Sequence, residues 1–117
     1  MAGGNTVLVA DDNVLVRDLL EAVLGGTDEF TIVASVHDAD SAGVAAAEHQ
    51  PTLAIVDVSM PGGGPAAARA IHAASPATRV VALSSHDDST SVRLMLAAGA
   101  ISYVVKGTPS EELVKVL

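Results

Sequence analysis

Five short runs of aliphatic, β-branched-rich residues recur along the chain, and a stretch with helical spacing follows each. The most constraining is Leu53-Ala54-Ile55-Val56-Asp57. Four apolar residues with two β-branched members read as a fully buried strand, and an acid closes it. Helical signals on both sides put this strand in a parallel sheet covered on both faces. A carboxylate at the carboxyl end of such a strand lies on the edge where open α/β sheets carry their chemistry.

The other runs fit the same scheme. Thr6–Ala10 reads as a first strand, followed at once by Asp11-Asp12. Asn13 caps a helix in which Leu15, Val16, Leu19, Leu20, Val23 and Leu24 recur at helical spacing, with Arg17, Asp18 and Glu21 facing out. Gly25-Gly26 ends it. Phe30–Val36 is a second strand, and Asp40 caps a second helix running to about His49. After the strand ending at Asp57, Ser59–Pro65 forms a glycine-rich loop, with Pro65 in the first turn of a third helix reaching about Ala74. Arg79–Ser84 is a fourth strand. Asp87 or Asp88 caps a fourth helix with Val92, Met95 and Leu96 inward and Gly99 as its stop. Ile101–Val105 is a fifth strand ending at Lys106, and Thr108-Pro109-Ser110-Glu111 has capping-box spacing for a fifth helix.

Five strands alternating with five helices imply a doubly wound α/β sandwich with right-handed crossovers. No linker or repeat divides the 117 residues, so one domain, residues 1–117, is expected. The last helix has only about two turns before Leu117, and we expect the chain to be the N-terminal part of a longer protein. Only Phe30 and Tyr103 are aromatic, which leaves a core of Val, Leu, Ile and Ala. The chain has no cysteine, which excludes thiolate chemistry and fits the cytoplasm. The first residues lack the basic start and apolar stretch of a signal peptide, and no run is long enough for a membrane span. A formal charge of −8 disfavours direct nucleic-acid binding by this segment. The histidines His37, His49, His72 and His86 show no metal-ligand spacing and read as surface residues.

A parallel sheet presents all its strand ends on one edge. That edge collects Asp11, Asp12, Asp57, Ser84 and Lys106 from four strands. Three carboxylates together repel one another, and a hard divalent cation with oxygen ligands resolves the conflict; Mg²⁺ fits. An ammonium and a hydroxyl are what a bound phosphoryl group requires. Asp57 is then the nucleophile and carries an aspartyl-phosphate.

On Val9-Ala10-Asp11-Asp12, Ile55–Pro61, Val81–Ser85, Ala98-Gly99-Ala100 and Tyr103–Lys106, in this order and spacing, the chain resembles the receiver domains of two-component response regulators over essentially its whole length. The resemblance implies the flavodoxin-like strand order 2-1-3-4-5 and a histidine kinase that phosphorylates Asp57. It implies Mg²⁺ held directly by Asp12, Asp57 and the backbone carbonyl of Ser59, with Asp11 acting largely through water. Ser84 and Tyr103 are implied to shift together on phosphorylation and to remodel the face made by the fourth helix, fifth strand and fifth helix. An output domain in the same chain follows, either DNA-binding of the LuxR helix-turn-helix type or enzymatic. Some positions depart from the commonest pattern. Ser84 stands where threonine is frequent. Gly107 follows the lysine where proline is common, as in receivers attached to LuxR-type domains, and leaves the isomer of the Lys106–Gly107 peptide open. Gly62-Gly63-Gly64 replaces a loop that usually carries an acid, which suggests greater mobility. Ser59 and His86 occupy variable sites that in the family influence the lifetime of the phosphoryl group.

The favoured function is a phosphorylation-dependent switch, not an enzyme acting on a separate metabolite. A degenerate receiver serving as a scaffold is disfavoured by the retained acids, hydroxyl and lysine. An aspartate-nucleophile phosphatase needs a second acid two residues after the nucleophile, where Ser59 stands. Leu94, set about 100° round the fourth helix from Met95, is a candidate contact for homodimers or for the output domain.

Overall fold

The computed structural model describes residues 5–85 and 89–117. Ten elements alternate: β1 (Asn5–Ala10), α1 (Val14–Gly25), β2 (Phe30–Val36), α2 (Ala39–His49), β3 (Leu53–Asp57), α3 (Gly64–Ala74), β4 (Arg79–Ser84), α4 (Ser89–Ala97), β5 (Ser102–Val105) and α5 (Ser110–Val116). The strands form one parallel sheet in the order β2-β1-β3-β4-β5. This is the expected doubly wound, flavodoxin-like arrangement. Among the described residues no helix is long and apolar enough to cross a membrane.

Side-chain alternation along the strands divides the core into two layers. Leu8, Ala10, Ala54, Val56, Val80 and Ala82 face α2, α3 and α4 and pack on Ala42, Ala46, Ala68, Ile71 and Met95. Val7, Val9, Leu53, Ile55, Val81, Leu83 and Val104 face α1 and α5 and pack on Leu20, Leu24 and Leu113. Small residues let the first layer close tightly. A side chain at Gly43 would come within 3.1 Å of the Ala70 methyl across the α2–α3 contact. Every residue of β3 is buried, as a central parallel strand requires.

Several local expectations are corrected. In α1 the stripe that meets the sheet is narrow: Leu20 and Leu24 are buried and Val16 and Val23 half-buried. Leu15 and Leu19, one residue round from that stripe, are 74% and 59% exposed. Arg17 does not face out; it is half-buried and turns back toward the sheet edge. Asp38, not Asp40, caps α2, accepting the Ser41 N–H at 2.7 Å, because the helix starts at Ala39, two residues before the start that a cap at Asp40 implies. In α4 Met95 is buried and Val92 half-buried, but Leu96 is 44% exposed. The inward stripe there continues through Ala98 instead. The expected cap at Asp87 or Asp88 lies outside the described residues, as does His86.

Ile101 precedes β5 and is exposed. The Thr108 capping box does not form. The Thr108 hydroxyl donates to the Val105 carbonyl at 2.6 Å, closing the turn after β5, and α5 begins at Ser110 without a side-chain cap. Asn13 caps α1 as expected, accepting the Leu15 N–H at 2.9 Å. His37, His49 and His72 are exposed.

Candidate functional site

The carboxyl ends of β1, β3, β4 and β5 meet on one edge, and alternation sorts what they bring. Asp11 continues the Val7–Val9 series, Asp57 the Leu53–Ile55 series and Lys106 follows Val104, so all three share the α1–α5 side. Ser84 continues the Val80–Ala82 series on the opposite side, toward α4. The register Asp57↔Leu83 and Ser84↔Val105 sets these ends side by side.

On the first side the Lys106 ammonium lies 3.4 Å from Asp11 Oδ2 and 3.3 Å from Asp57 Oδ1. Asp11 and Asp57 are almost wholly buried, while Asp12 is exposed at the mouth. Carboxylate oxygens of Asp11, Asp12 and Asp57 all come within 4.8 Å of one another. Three carboxylates facing one ammonium leave two formal negative charges in a partly buried pocket. Burial raises the Asp11 carboxyl above its ordinary range, and the neighbouring Asp57 charge adds to the rise. The Asn13 N–H, donating to Asp11 Oδ1 at 2.8 Å, and Lys106 oppose it. Burial alone lowers the Lys106 ammonium, but the charges of Asp57 and Asp11 outweigh it and hold the group above its ordinary value.

The two oxygens of Asp57 differ. Oδ1 receives the Lys106 ammonium, the Ser59 N–H at 3.2 Å and the Ser59 hydroxyl at 3.3 Å. Oδ2 is buried and has no hydrogen-bond donor among the described residues, and Asp11 Oδ2 likewise lacks an aligned donor. A buried, unsatisfied carboxylate oxygen is costly unless something occupies it. The unpartnered Asp57 Oδ2 and the Asp11 Oδ2 that meets only Lys106, beside a third carboxylate and with an excess of two negative charges, form a donor set suited to a hard divalent cation.

Backbone hydrogen bonds tie down the loop after β3. The Ala39 N–H donates to the Pro61 carbonyl, the Gly63 N–H to Met60 and the Gly64 N–H to Val58. Glycine is required at two places in it. At Gly62, with φ of +85°, a Cβ would meet the Ala39 methyl at 2.8 Å. At Gly64 a Cβ would meet the Asp57 carbonyl oxygen and Val58 Cα, both at 2.6 Å. The Lys106–Gly107 peptide is trans, and the Lys106 N–H donates to the Ser84 carbonyl at 2.6 Å.

On the second side, Ser84 is buried and lines a groove of about 310 Å³ with Ser85, Ser89, Val92, Arg93, Tyr103 and Val105. Tyr103 is 51% exposed, on the outside of this groove. Two features of the site escaped the sequence: the Ser59 hydroxyl on Asp57, and Arg17, whose Nη1 donates to the Asp11 carbonyl at 3.0 Å. Spacing two residues after Asp57 pointed to Ser59 but not to its bond. Nothing in the helical pattern singled out Arg17.

A family model described as the response regulator receiver domain matches residues 7–117. Among curated proteins, the oxygen regulatory protein NreC of Staphylococcus epidermidis is 33% identical over 110 residues, covering 92% of this chain and 50% of its own length. The response regulator GacA of Pseudomonas protegens is 32% identical over 112 residues, covering 95% of this chain and 53% of its own. This chain therefore spans about half the length of these relatives. Among solved structures, the signal receiver domain of a NarL response regulator from Mycobacterium tuberculosis superposes with a TM-score of 0.89 at 30% identity. That match covers 97% of this chain and 92% of the other. A LuxR-family two-component response regulator from Aurantimonas gives a TM-score of 0.87 at 28% identity, covering 97% and 81%. With its site geometry, strand order and a family match across nearly all of its length, the chain belongs to the response regulator receiver domains of two-component signalling.

Proposed function

We propose that the chain accepts a phosphoryl group on Asp57 from a histidine kinase and passes the change to an output domain elsewhere in the same protein. The single observation behind this reading is the asymmetry of Asp57: three donors hold Oδ1, while Oδ2 is buried without a partner among the described residues. Oδ2 is thus the oxygen available for a new bond. In the transfer, an Asp57 oxygen bonds to phosphorus as the phosphorus–nitrogen bond to the donor imidazole breaks, and the imidazole keeps the electron pair. Lys106, already fixed between Asp11 and Asp57, places its positive charge where the phosphoryl oxygens arrive. Ser84 offers them a hydroxyl from the neighbouring strand end. Hydrolysis returns the carboxylate when water attacks phosphorus and the bond to Asp57 breaks.

Asp12, Asp57 and the Ser59 carbonyl would hold Mg²⁺ directly, with Asp11 acting largely through water. The ion supplies positive charge to an otherwise anionic site and to the entering phosphoryl oxygens. On the α4 side, the groove beside Ser84 is lined by Tyr103 and gives its ring a place to turn into. A Ser84 drawn toward the phosphoryl group would open that route, linking phosphorylation to the α4–β5–α5 face. The relatives' length and LuxR-family membership of a similar structure favour a DNA-binding helix-turn-helix output over an enzymatic one. We assign the protein to the cytoplasm and its N-terminal segment to the receiver. Exposed Leu94 on α4 is the candidate contact for a homodimer formed on phosphorylation.

The test is to incubate the protein with Mg²⁺ and acetyl phosphate or beryllofluoride. We expect saturable modification that disappears in Asp57→Asn, and signalling that fails in Lys106→Ala while Mg²⁺ binding persists. Modification that survives in Asp57→Asn, or normal output from Lys106→Ala, overturns the reading.

A further inference from the structure

We propose that Arg17 is a positioning residue for the acidic site. By donating Nη1 to the Asp11 carbonyl, it fixes the Asp11–Asp12 peptide and with it the direction in which the Asp12 carboxylate meets the divalent cation. The inference rests on the reading of Asp12 as a metal ligand given above.

The argument begins with the end of β1. The pairing of β1 with β2 and β3 runs out at Ala10, opposite Val36 on one side and Val56 on the other. Beyond it Asp11 still has its N–H on the Val36 carbonyl at 3.0 Å and its Oδ1 on the Asn13 N–H at 2.8 Å. Its carbonyl has left the ladder, and Asp11 is fully buried, so that oxygen needs a partner. The Arg17 guanidinium supplies it from α1, six residues later, at 3.0 Å.

The choice of donor is informative. Among the described residues no carboxylate lies within ion-pair distance of Arg17, so its head group is committed to a backbone oxygen rather than to a surface salt bridge. The chain has only six Lys and Arg residues against fourteen acids. The peptide that Arg17 grips joins the two consecutive acids of the site. Asp11 is held at its N–H, side chain and carbonyl, whereas Asp12 is exposed and takes its direction from that peptide. A rigid fork with several donors suits such fixing better than a flexible ammonium.

Positioning and bare charge predict opposite signs. Removing a nearby positive charge strengthens cation binding, whereas losing a positioning contact weakens it. The experiment is a Mg²⁺ titration of this chain, followed by backbone amide shifts, at roughly 0.5 M salt. There the screening length falls to about 4 Å and longer-range charge effects are suppressed. In Arg17→Met, which keeps the aliphatic stem, we expect Mg²⁺ affinity to fall about tenfold, as for outer-shell contacts to metal ligands generally. Arg17→Lys, which keeps one donor, should recover part of the loss.

In the metal-free protein the Asn13 amide of Arg17→Met should exchange faster while those of Leu20 and Leu24 stay unchanged, a result that general loosening of α1 would not give. Unchanged or tighter Mg²⁺ binding by Arg17→Met, or an unmoved Asn13 amide, overturns the proposal. If the wild-type chain itself shows no saturable Mg²⁺ shift, the metal reading fails, and the metal-free amide comparison still decides whether Arg17 positions the peptide.

Discussion

Gly64→Ala should damage both stability and phosphorylation, and the structure sets the size of each effect. The new methyl would lie 2.6 Å from the Asp57 carbonyl oxygen, 2.6 Å from Val58 Cα and 2.9 Å from the Val58 carbonyl carbon. All three are backbone atoms of a central strand end, so none can swing aside as a flexible side chain would. Relief needs a displacement of just under an ångström by analogy with ordinary contact distances near 3.5 Å. Overpacking of this kind costs about 1–3 kcal/mol. The better helix propensity of alanine returns at most about 1 kcal/mol, less at the first residue of α3. The net is a loss of about 1–2 kcal/mol, or roughly 5–10 °C in melting temperature for a domain of this size.

A chemical effect accompanies the thermal one because the atoms pushed belong to Asp57 and its neighbour. A sub-ångström misplacement of a reacting group should slow labelling by acetyl phosphate by about tenfold. The control is Gly25→Ala at the end of α1, where a Cβ meets nothing within 4 Å. That variant should gain up to about 0.5 kcal/mol and label normally. The assay is thermal unfolding together with the rate of acetyl phosphate labelling. A Gly64→Ala protein that melts at or above the wild-type temperature, or one that labels at the wild-type rate, refutes the claim that close packing of α3 fixes Asp57.

Asp11→Asn should raise the melting temperature of the metal-free protein at neutral pH. The folded-state pKa of Asp11 is raised, so stability falls as pH climbs from the unfolded value near 3.8 through the folded one. The wild-type deficit relative to Asp11→Asn should therefore be absent at strongly acidic pH and fully developed above that window; a gap independent of pH rules this out. Lys106, whose folded value is also raised, has linkage of the same sign in a higher window: its contribution is present below 10.5 and is lost as pH rises through its higher folded value, a loss that Lys106→Met should remove from the alkaline limb of the stability profile. Asp38→Ala should lower thermal stability clearly more than Asp40→Ala, since only Asp38 accepts the Ser41 N–H; equal losses would place the cap wrongly. Leu94→Glu should abolish any sedimentation shift seen on phosphorylation of the full-length protein, and an unchanged shift counts against dimerisation through α4.

The strand ends were legible in the sequence because each is an apolar run stopped by one chemically different residue. Asp57 after Leu53–Val56 and Lys106 after the fifth run needed only the rule that parallel strands share an exit edge. The meeting of Asp11, Asp57 and Lys106 on one edge follows from that rule, whereas the strand order came only from the resemblance to receiver domains. Helix faces were less legible. Leu15 and Leu19 match helical spacing as well as Leu20 and Leu24 do, but α1 lies against the sheet along a narrow strip, and only packing decides which leucines fall in it. Caps failed where two candidates stood close together, as at Asp38 and Asp40. Thr108 was misread because the carbonyl it bonds belongs to the preceding strand, which local pattern does not register.

The same contrast explains why the site is a sensitive switch position. The burial that makes β3 stable also strips Asp57 and Asp11 of water, leaving Asp57 Oδ2 without a donor among the described residues and Asp11 Oδ2 with only the Lys106 ammonium at 3.4 Å. Lys106 offsets part of the repulsion but cannot neutralise three carboxylates. The metal-free pocket is therefore a local cost carried by a well-packed sheet. A bound cation stabilises the chain by mass action, in proportion to the logarithm of its concentration over its dissociation constant. On the proposed reading, a phosphoryl group on Asp57 would redistribute the charge again. A fold whose sheet is rigid and whose exit edge is electrostatically unfavourable responds to small ligands at that edge, because the rest of the sheet has no cheaper way to relax. Relieving the cost by Asp11→Asn should therefore shrink the thermal stabilisation that saturating Mg²⁺ gives. Stabilisation as large as in the wild-type protein would show that repulsion among these acids is not what the cation relieves.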